Sequence, residues 1–251
     1  IVRLIQKTYA KPFSFAVASI LNGMNEEALE NYQNLKIPVH YLVKTTHDTY
    51  TEIAEQYQAD GTCHICTKPQ EKEVEQQKEV QQQIEMQQTK EAQQPIEVQE
   101  ISGWINARRL HTADTYKQAC EQLWQEIQQK YHYIKETETG RRILVLGTEE
   151  FMYPALYVGA KLEEAGYTVR MHATTRSPIA VSKEEKYPLH TRYELASLYD
   201  KNRITFVYDL TEYEEVLVLT DAQNQETEGW ESLQRALALN QNRQIRGIRW
   251  C

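Results

Sequence analysis

At 251 residues the chain can form one large domain or two smaller ones, and 41% hydrophobic with 25% charged residues is an ordinary globular mix. A net charge of −8 and a pI near 5.5 argue against nucleic acid as the main partner, because phosphate backbones are met by clustered Lys and Arg. No apolar run approaches the ~20 residues that span a bilayer, no signal peptide is visible, and four unevenly spaced cysteines make no disulfide framework, so the cytoplasm is the expected compartment.

Residues 1–66 read as one block. Ile1 to Ile5 has the pattern of the tail of an amphipathic helix, which Pro12 stops. Phe13 to Leu21 is a β-branched and aromatic run fit for a buried strand. Asn25 can cap a helix over Glu26 to Asn34, with Glu26 and Glu27 in the turn where the macrodipole favours acids. Pro38 then precedes a strand from Val39 to Val43. Helix, strand, helix, strand is half of a parallel α/β sheet.

Residues 67–100 form a second block with 11 Gln, 8 Glu and 4 Lys, and neither an aromatic residue nor glycine. Such a segment buries too little apolar area to offset its ordering entropy. Val80 and Ile84 make one i,i+4 pair and the heptad ends there. A frayed helical or disordered Gln/Glu-rich linker is the expectation, ahead of a coiled coil.

Residues 101–251 return to α/β character. Asp114 can cap a long helix through Tyr131, with Tyr116, Ala119, Cys120, Leu123 and Ile127 on one face. Ile143 to Leu146 is a fully apolar strand of the kind buried in parallel sheets. Pro154 suits the first turn of the next helix, and Gly166 suits its C-terminus. Strands follow at Tyr167 to Ala173, Ile204 to Tyr208 and Val216 to Leu219. A helix at Ser232 to Leu239 and an edge strand at Ile245 to Trp250 complete the pattern. Strands alternating with helices predict a doubly wound, Rossmann-like parallel sheet.

In such sheets ligands bind beyond the carboxyl ends of the strands. Those ends carry Gly147, Thr148, Glu149 and Glu150, then Thr174, Thr175, Arg176 and Ser177, then Asp209, and finally Thr220 and Asp221. Each also has a plainer reading. Gly147 can make a tight turn, and the two Glu can complement a helix N-terminus. As ligand groups, Glu149 or Glu150 suit ribose hydroxyls, an amine or a metal better than a phosphate. Arg176 suits phosphate or carboxylate, or an internal salt bridge to one of those Glu. Asp200 and Arg203 precede a strand, where the Asp side chain can simply hold a turn. The seven His show no metal-ligand spacing, and Cys63-His64-Ile65-Cys66 is half a zinc site at most.

Gly147-Thr148-Glu149-Glu150-Phe151-Met152-Tyr153-Pro154, Ala173-Thr174-Thr175-Arg176-Ser177-Pro178-Ile179 and Ser197 to Leu210 fall in order and resemble the signature of the TRSP domain, over about residues 101 to 250. The resemblance implies an upstream, orotate-type phosphoribosyltransferase-like domain, and residues 1–66 look like its final helix-strand-helix-strand. Such proteins are associated with bacterial tellurite-resistance and stress gene clusters.

The resemblance further implies transfer by displacement of pyrophosphate from an Mg-bound sugar phosphate. By the same resemblance, the acidic pair and Thr/Gly loop that hold those groups lie before Ile1. No catalytic residue is therefore carried over, no cofactor is assigned to this chain, and Mg is expected only for the intact enzyme. Glu149, Thr148, Arg176 and Asp221 are the first candidates for contacts to a small nucleotide or phosphosugar. A non-enzymatic module that binds a ligand or a protein partner in a stress system is the competing expectation, and a homo-oligomer is open to either.

Overall fold

The computed structural model describes residues 5, 7–8, 13–45, 52, 55–68, 96–107, 109, 111–133, 140–223 and 227–251. Residues 1–4 and 69–95, on which most of the expected first helix and most of the expected linker fall, lie outside the described residues. The chain divides into two compact units, Ile1–Gln58 and Ala59–Cys251.

The first unit is a βαβ element. Strands β1 (Val17–Asn22) and β2 (Val39–Lys44) pair in parallel with Val17 opposite Val39, joined by helix α1 (Glu26–Asn34). The Asn25 side chain accepts from the Ala28 amide at 2.9 Å, which satisfies one orphan donor of the first turn. The strand begins at Val17, and its apolar residues are not buried as expected: Ile20 is 75% and Leu21 60% exposed. Among the described residues, one neighbouring strand and a helix with no buried residue do not cover both faces of β1.

The second unit is built on a five-stranded, wholly parallel sheet. Its strands are β4 (Val98–Ile101), β5 (Arg142–Gly147), β6 (Thr168–Ala173), β9 (Glu215–Thr220) and β10 (Ile245–Trp250), in the order β4-β10-β9-β5-β6. Alternate residues of β5 feed two cores. Ile143 and Val145 join the apolar stripes of α2 (Ala113–Tyr131) and α3 (Tyr153–Glu164). Leu144 and Leu146 join α4 (Thr227–Leu239) and a small second sheet. All four are fully buried, each contributing on the order of 1.5–3 kcal/mol.

That second sheet has the order β3-β7-β8, from β3 (Thr62–Ile65), β7 (Thr191–Ala196) and β8 (Ile204–Tyr208). β3 runs parallel to β7, and β8 runs antiparallel to it. The sheet is thus doubly wound, with two helices on one face and a helix plus a three-stranded sheet on the other.

Several local expectations are corrected. Thr112, not Asp114, caps α2, its side chain accepting from the Thr115 amide at 3.2 Å while Asp114 lies within the first helical turn. β10 is interior, because β4 forms the edge beyond it, so residues 98–100 belong to the sheet rather than to a linker. Residues 59–66 join the second unit through β3. By contrast, Pro154 does occupy the first turn of α3, and Gly166 follows that helix with φ +96°.

Candidate functional site

The chain leaves β5 through α3 to β6 on one side, and leaves β9 through α4 to β10 on the other. The two crossover helices pack on opposite faces of the sheet. The carboxyl ends of β5 and β9 therefore flank a topological switch point, where the chain reversals open a crevice. A cavity of about 440 Å³ lies at this end of the sheet, lined by Glu149, Glu150, Arg176, Tyr199 and Arg203.

Its floor is set by the turn after β5. Gly147 is required there, since a Cβ would stand 2.7 Å from the Phe151 carbonyl oxygen. The turn closes with Phe151 N–H donating to the Thr148 carbonyl at 2.8 Å. Glu149 takes a left-handed φ of +48°, an uncommon conformation for a residue with a side chain. Its amide donates to Thr174 Oγ1 at 3.0 Å. Its carboxylate is buried, accepting from Ser197 Oγ at one oxygen and from Arg203 at the other, the latter at 2.6 Å.

Arg203 also reaches Asp200 at 3.3 Å. Against the pull of desolvation, Asp200 and Glu149 hold its guanidinium above the ordinary arginine value. The Asn202 amide and then Arg203 hold the Asp200 carboxyl below its usual value. The Asn202 contact, 3.0 Å to Asp200 Oδ1, is the turn expected there, and the Arg203 contact extends it into the crevice.

At the mouth, Arg176 pairs with Glu150 and stands 4.0 Å from Glu149. The internal salt bridge weighed for Arg176 is therefore formed, with both Glu. Thr175 places it by exchanging two backbone hydrogen bonds with Phe206, at 2.8 and 2.7 Å.

The rear wall is Tyr199. Its hydroxyl donates to Asp221 at 2.7 Å and lies 2.8 Å from Thr148 Oγ1, which in turn lies 2.8 Å from Thr220 Oγ1. Asp221 also accepts from Trp104 Nε1 at 3.2 Å. Burial, foremost, pushes the Tyr199 phenol well above its ordinary value. Thr148 and Asp221 thus meet Tyr199 rather than lining the cavity themselves.

Two candidates stand elsewhere. The Asp209 carboxylate accepts from the His190 and Thr191 amides, at 3.0 and 2.6 Å, and fixes the entry to β7. The Ser177 carbonyl accepts from Tyr208 at 2.8 Å. Cys63 to Cys66 lies on and just beyond β3, where His64 stacks on Tyr193 and the Cys66 carbonyl accepts from Arg235. Among the described residues no group of three or more His, Cys, Asp or Glu is placed to hold a metal ion, and no helix is long and apolar enough to cross a membrane.

Tyr199, Ser197 and Trp104 are the site residues that sequence reasoning missed, whereas Thr220 was already placed at a strand end. Ser197 and Tyr199 stand in the third signature stretch, and their place within three residues of Asp200 was the available signal.

The family model described as "TRSP domain C terminus to PRTase_2" matches residues 111–237. No curated protein matches the chain in sequence. Among solved structures, APRTase from Giardia lamblia complexed with 9-deazaadenine is similar at 18% identity with a TM-score of 0.31, over 53% of this chain and 65% of that one. The chain therefore spans less than two thirds of the length of that neighbour.

Proposed function

Because the chain belongs to the TRSP family, whose domain is described as C-terminal to a phosphoribosyltransferase domain, we propose that it is the C-terminal portion of a phosphoribosyltransferase-type enzyme of nucleotide or nucleoside-like metabolite synthesis. Its own contribution is to bind a nucleotide or phosphosugar in the switch-point crevice. One observation carries this reading: a 440 Å³ cavity at the carboxyl ends of β5 and β9 is lined by two arginines, two glutamates and a tyrosine. An ordinary sugar phosphate or nucleotide fits a cleft of that size, and a few convergent polar groups are what orient such a ligand.

Arg176 is the anion contact in this proposal. It is more than half exposed, its pair with Glu150 is equally open to water, and exposed pairs contribute ~0–1 kcal/mol, so a phosphate can displace the carboxylate at little cost. Arg203 is committed to Glu149 and Asp200 and positions them. Among the described residues no group of three or more His, Cys, Asp or Glu is placed to hold the metal of the transfer reaction. A bacterial, cytoplasmic setting in tellurite-resistance or stress metabolism is part of the same proposal.

The test is the melting temperature of the full chain with AMP, ribose 5-phosphate and inorganic phosphate, for wild type and Arg176→Ala. Ligand-dependent stabilisation of the wild type that the variant loses, with its unliganded melting temperature unchanged, is the expected result. A variant that melts much earlier without ligand makes the Arg176 ion pairs structural and ends its role as anion contact.

A further inference from the structure

The Glu149 side chain is only 5% exposed, yet it lines the crevice. A carboxylate has about four lone-pair sites over its two oxygens. Ser197 uses one on Oε1 and Arg203 one on Oε2, while Arg176 Nε, at 4.0 Å, is beyond hydrogen-bond reach. Each oxygen thus keeps capacity for a further donor. The group cannot withdraw to use it elsewhere: the Glu149 amide is tied to Thr174, its backbone is left-handed, and Arg203 is braced by Asp200.

Two fixed acceptor oxygens on one rigid group match two hydroxyls on adjacent carbons, as they match the two-point fork of a guanidinium. In doubly wound sheets an acidic residue near the same crevice binds ribose hydroxyls by the same chemistry. An extended phosphate would find no welcome at this depth, since a carboxylate repels it. The anionic end of a ligand belongs at the mouth, where Arg176 and Glu150 are 57% and 53% exposed.

We infer that Glu149 is a vicinal-diol receptor, and that the crevice selects ribo- over 2-deoxyribo-compounds, with the sugar hydroxyls at the floor and the phosphate at Arg176. This rests on the nucleotide or phosphosugar reading above. Loss of one hydroxyl leaves a buried carboxylate lone pair without its donor, so discrimination of at least about tenfold in Kd is expected.

The experiment is calorimetric titration of the unmodified full chain with two matched pairs: ribose 5-phosphate against 2-deoxyribose 5-phosphate, and AMP against dAMP. At least about tenfold tighter binding of both ribo-members supports the inference. Equal binding within each pair overturns the diol receptor while leaving the phosphosugar reading intact. Failure of all four to bind overturns both. Glu149→Gln, which replaces one acceptor by a donor, is expected to erase the discrimination. Should that variant fail to fold, the matched pairs on the unmodified chain decide the matter without it.

Discussion

Arg203 and Glu149, 54 residues apart, meet at 2.6 Å across the floor of the crevice and fasten the loop before β8 to the turn after β5. The contact is asymmetric: Glu149 is buried and Arg203 is one-third exposed. Removing the arginine therefore strands the carboxylate, whereas removing the carboxylate leaves the arginine in contact with Asp200 and water.

Arg203→Ala is accordingly expected to destabilise the second unit by about 2 kcal/mol, a drop of roughly 4–8 °C in melting temperature. Arg203→Lys is expected to recover part of this, since an ammonium can reach Glu149 but cannot hold Asp200 as well. Urea unfolding of the three proteins reads the difference. Equal stability of wild type and Arg203→Ala would mean that Ser197 alone satisfies Glu149.

The N-terminus of α2 separates two residues that read alike. Thr112 accepts from the Thr115 amide, while Asp114 adds only an acid in the first turn. Thr112→Ala is expected to cost about 1 kcal/mol, and Asp114→Ala about 0.5 kcal/mol or less, the latter falling with added salt. Chemical denaturation at low and high ionic strength measures both. A larger loss for Asp114→Ala would return the cap to that residue.

The elements most legible in the sequence were those whose burial is written into a single run of residues. Ile143 to Leu146 has no polar interruption because it is covered on both faces, and Ile204 to Tyr208 is nearly so. β3 and β7 were not legible: Thr-Cys-His-Ile and Thr-Arg-Tyr-Glu-Leu-Ala show little apolar excess, and pairing of β3 with β7, and of β7 with β8, makes strands of them. β10 looked like an edge for a similar reason, since nothing local to Ile-Arg-Gly-Ile-Arg-Trp reveals that β4 pairs with it from about 150 residues earlier.

The site divides the same way. Strand-end placement found Glu149, Glu150 and Arg176, all of which line the crevice. It also offered Asp209, whose carboxylate serves backbone amides instead. Tyr199 escaped because a tyrosine between Leu198 and Asp200 reads as core, and its role depends on Thr148 and Asp221 arriving from other strands.

Gly61 leads into β3 under tight constraint. A Cβ there would stand 2.6 Å from the Val181 carbonyl carbon and 2.7 Å from the His190 carbonyl oxygen, both backbone atoms that cannot swing aside. The Gly61 amide also donates to the Val181 carbonyl at 3.0 Å, so the segment cannot shift without losing that bond. Gly61→Ala is expected to cost about 1–3 kcal/mol. Hydrogen exchange should show β3 amides losing protection more than those of β5. Unchanged protection would indicate that residues 59–61 relax freely.

His172, half-buried on β6, supplies a test in the pH dependence of stability. Burial, foremost, holds its imidazole below the ordinary value of 6.5, with Arg170 acting in the same direction and the Tyr208 backbone and Asp209 against it. The folded chain therefore binds this proton less readily than the unfolded chain does. Between the folded value and 6.5 the unfolded state carries the extra proton, so stability increases with pH through that window. The contribution is complete above 6.5, is lost as pH falls, and levels off below the folded value. Asp60, Glu121, Asp200 and Glu231, all held below their ordinary carboxylate values, lose their contributions only at pH lower than about 4.5 and leave the window clear. Urea unfolding at about pH 7.5 and about pH 5.5 should show wild type weaker at the lower pH, and His172→Gln should show a smaller difference between the two. An identical pH difference in the variant would assign the dependence to groups other than His172.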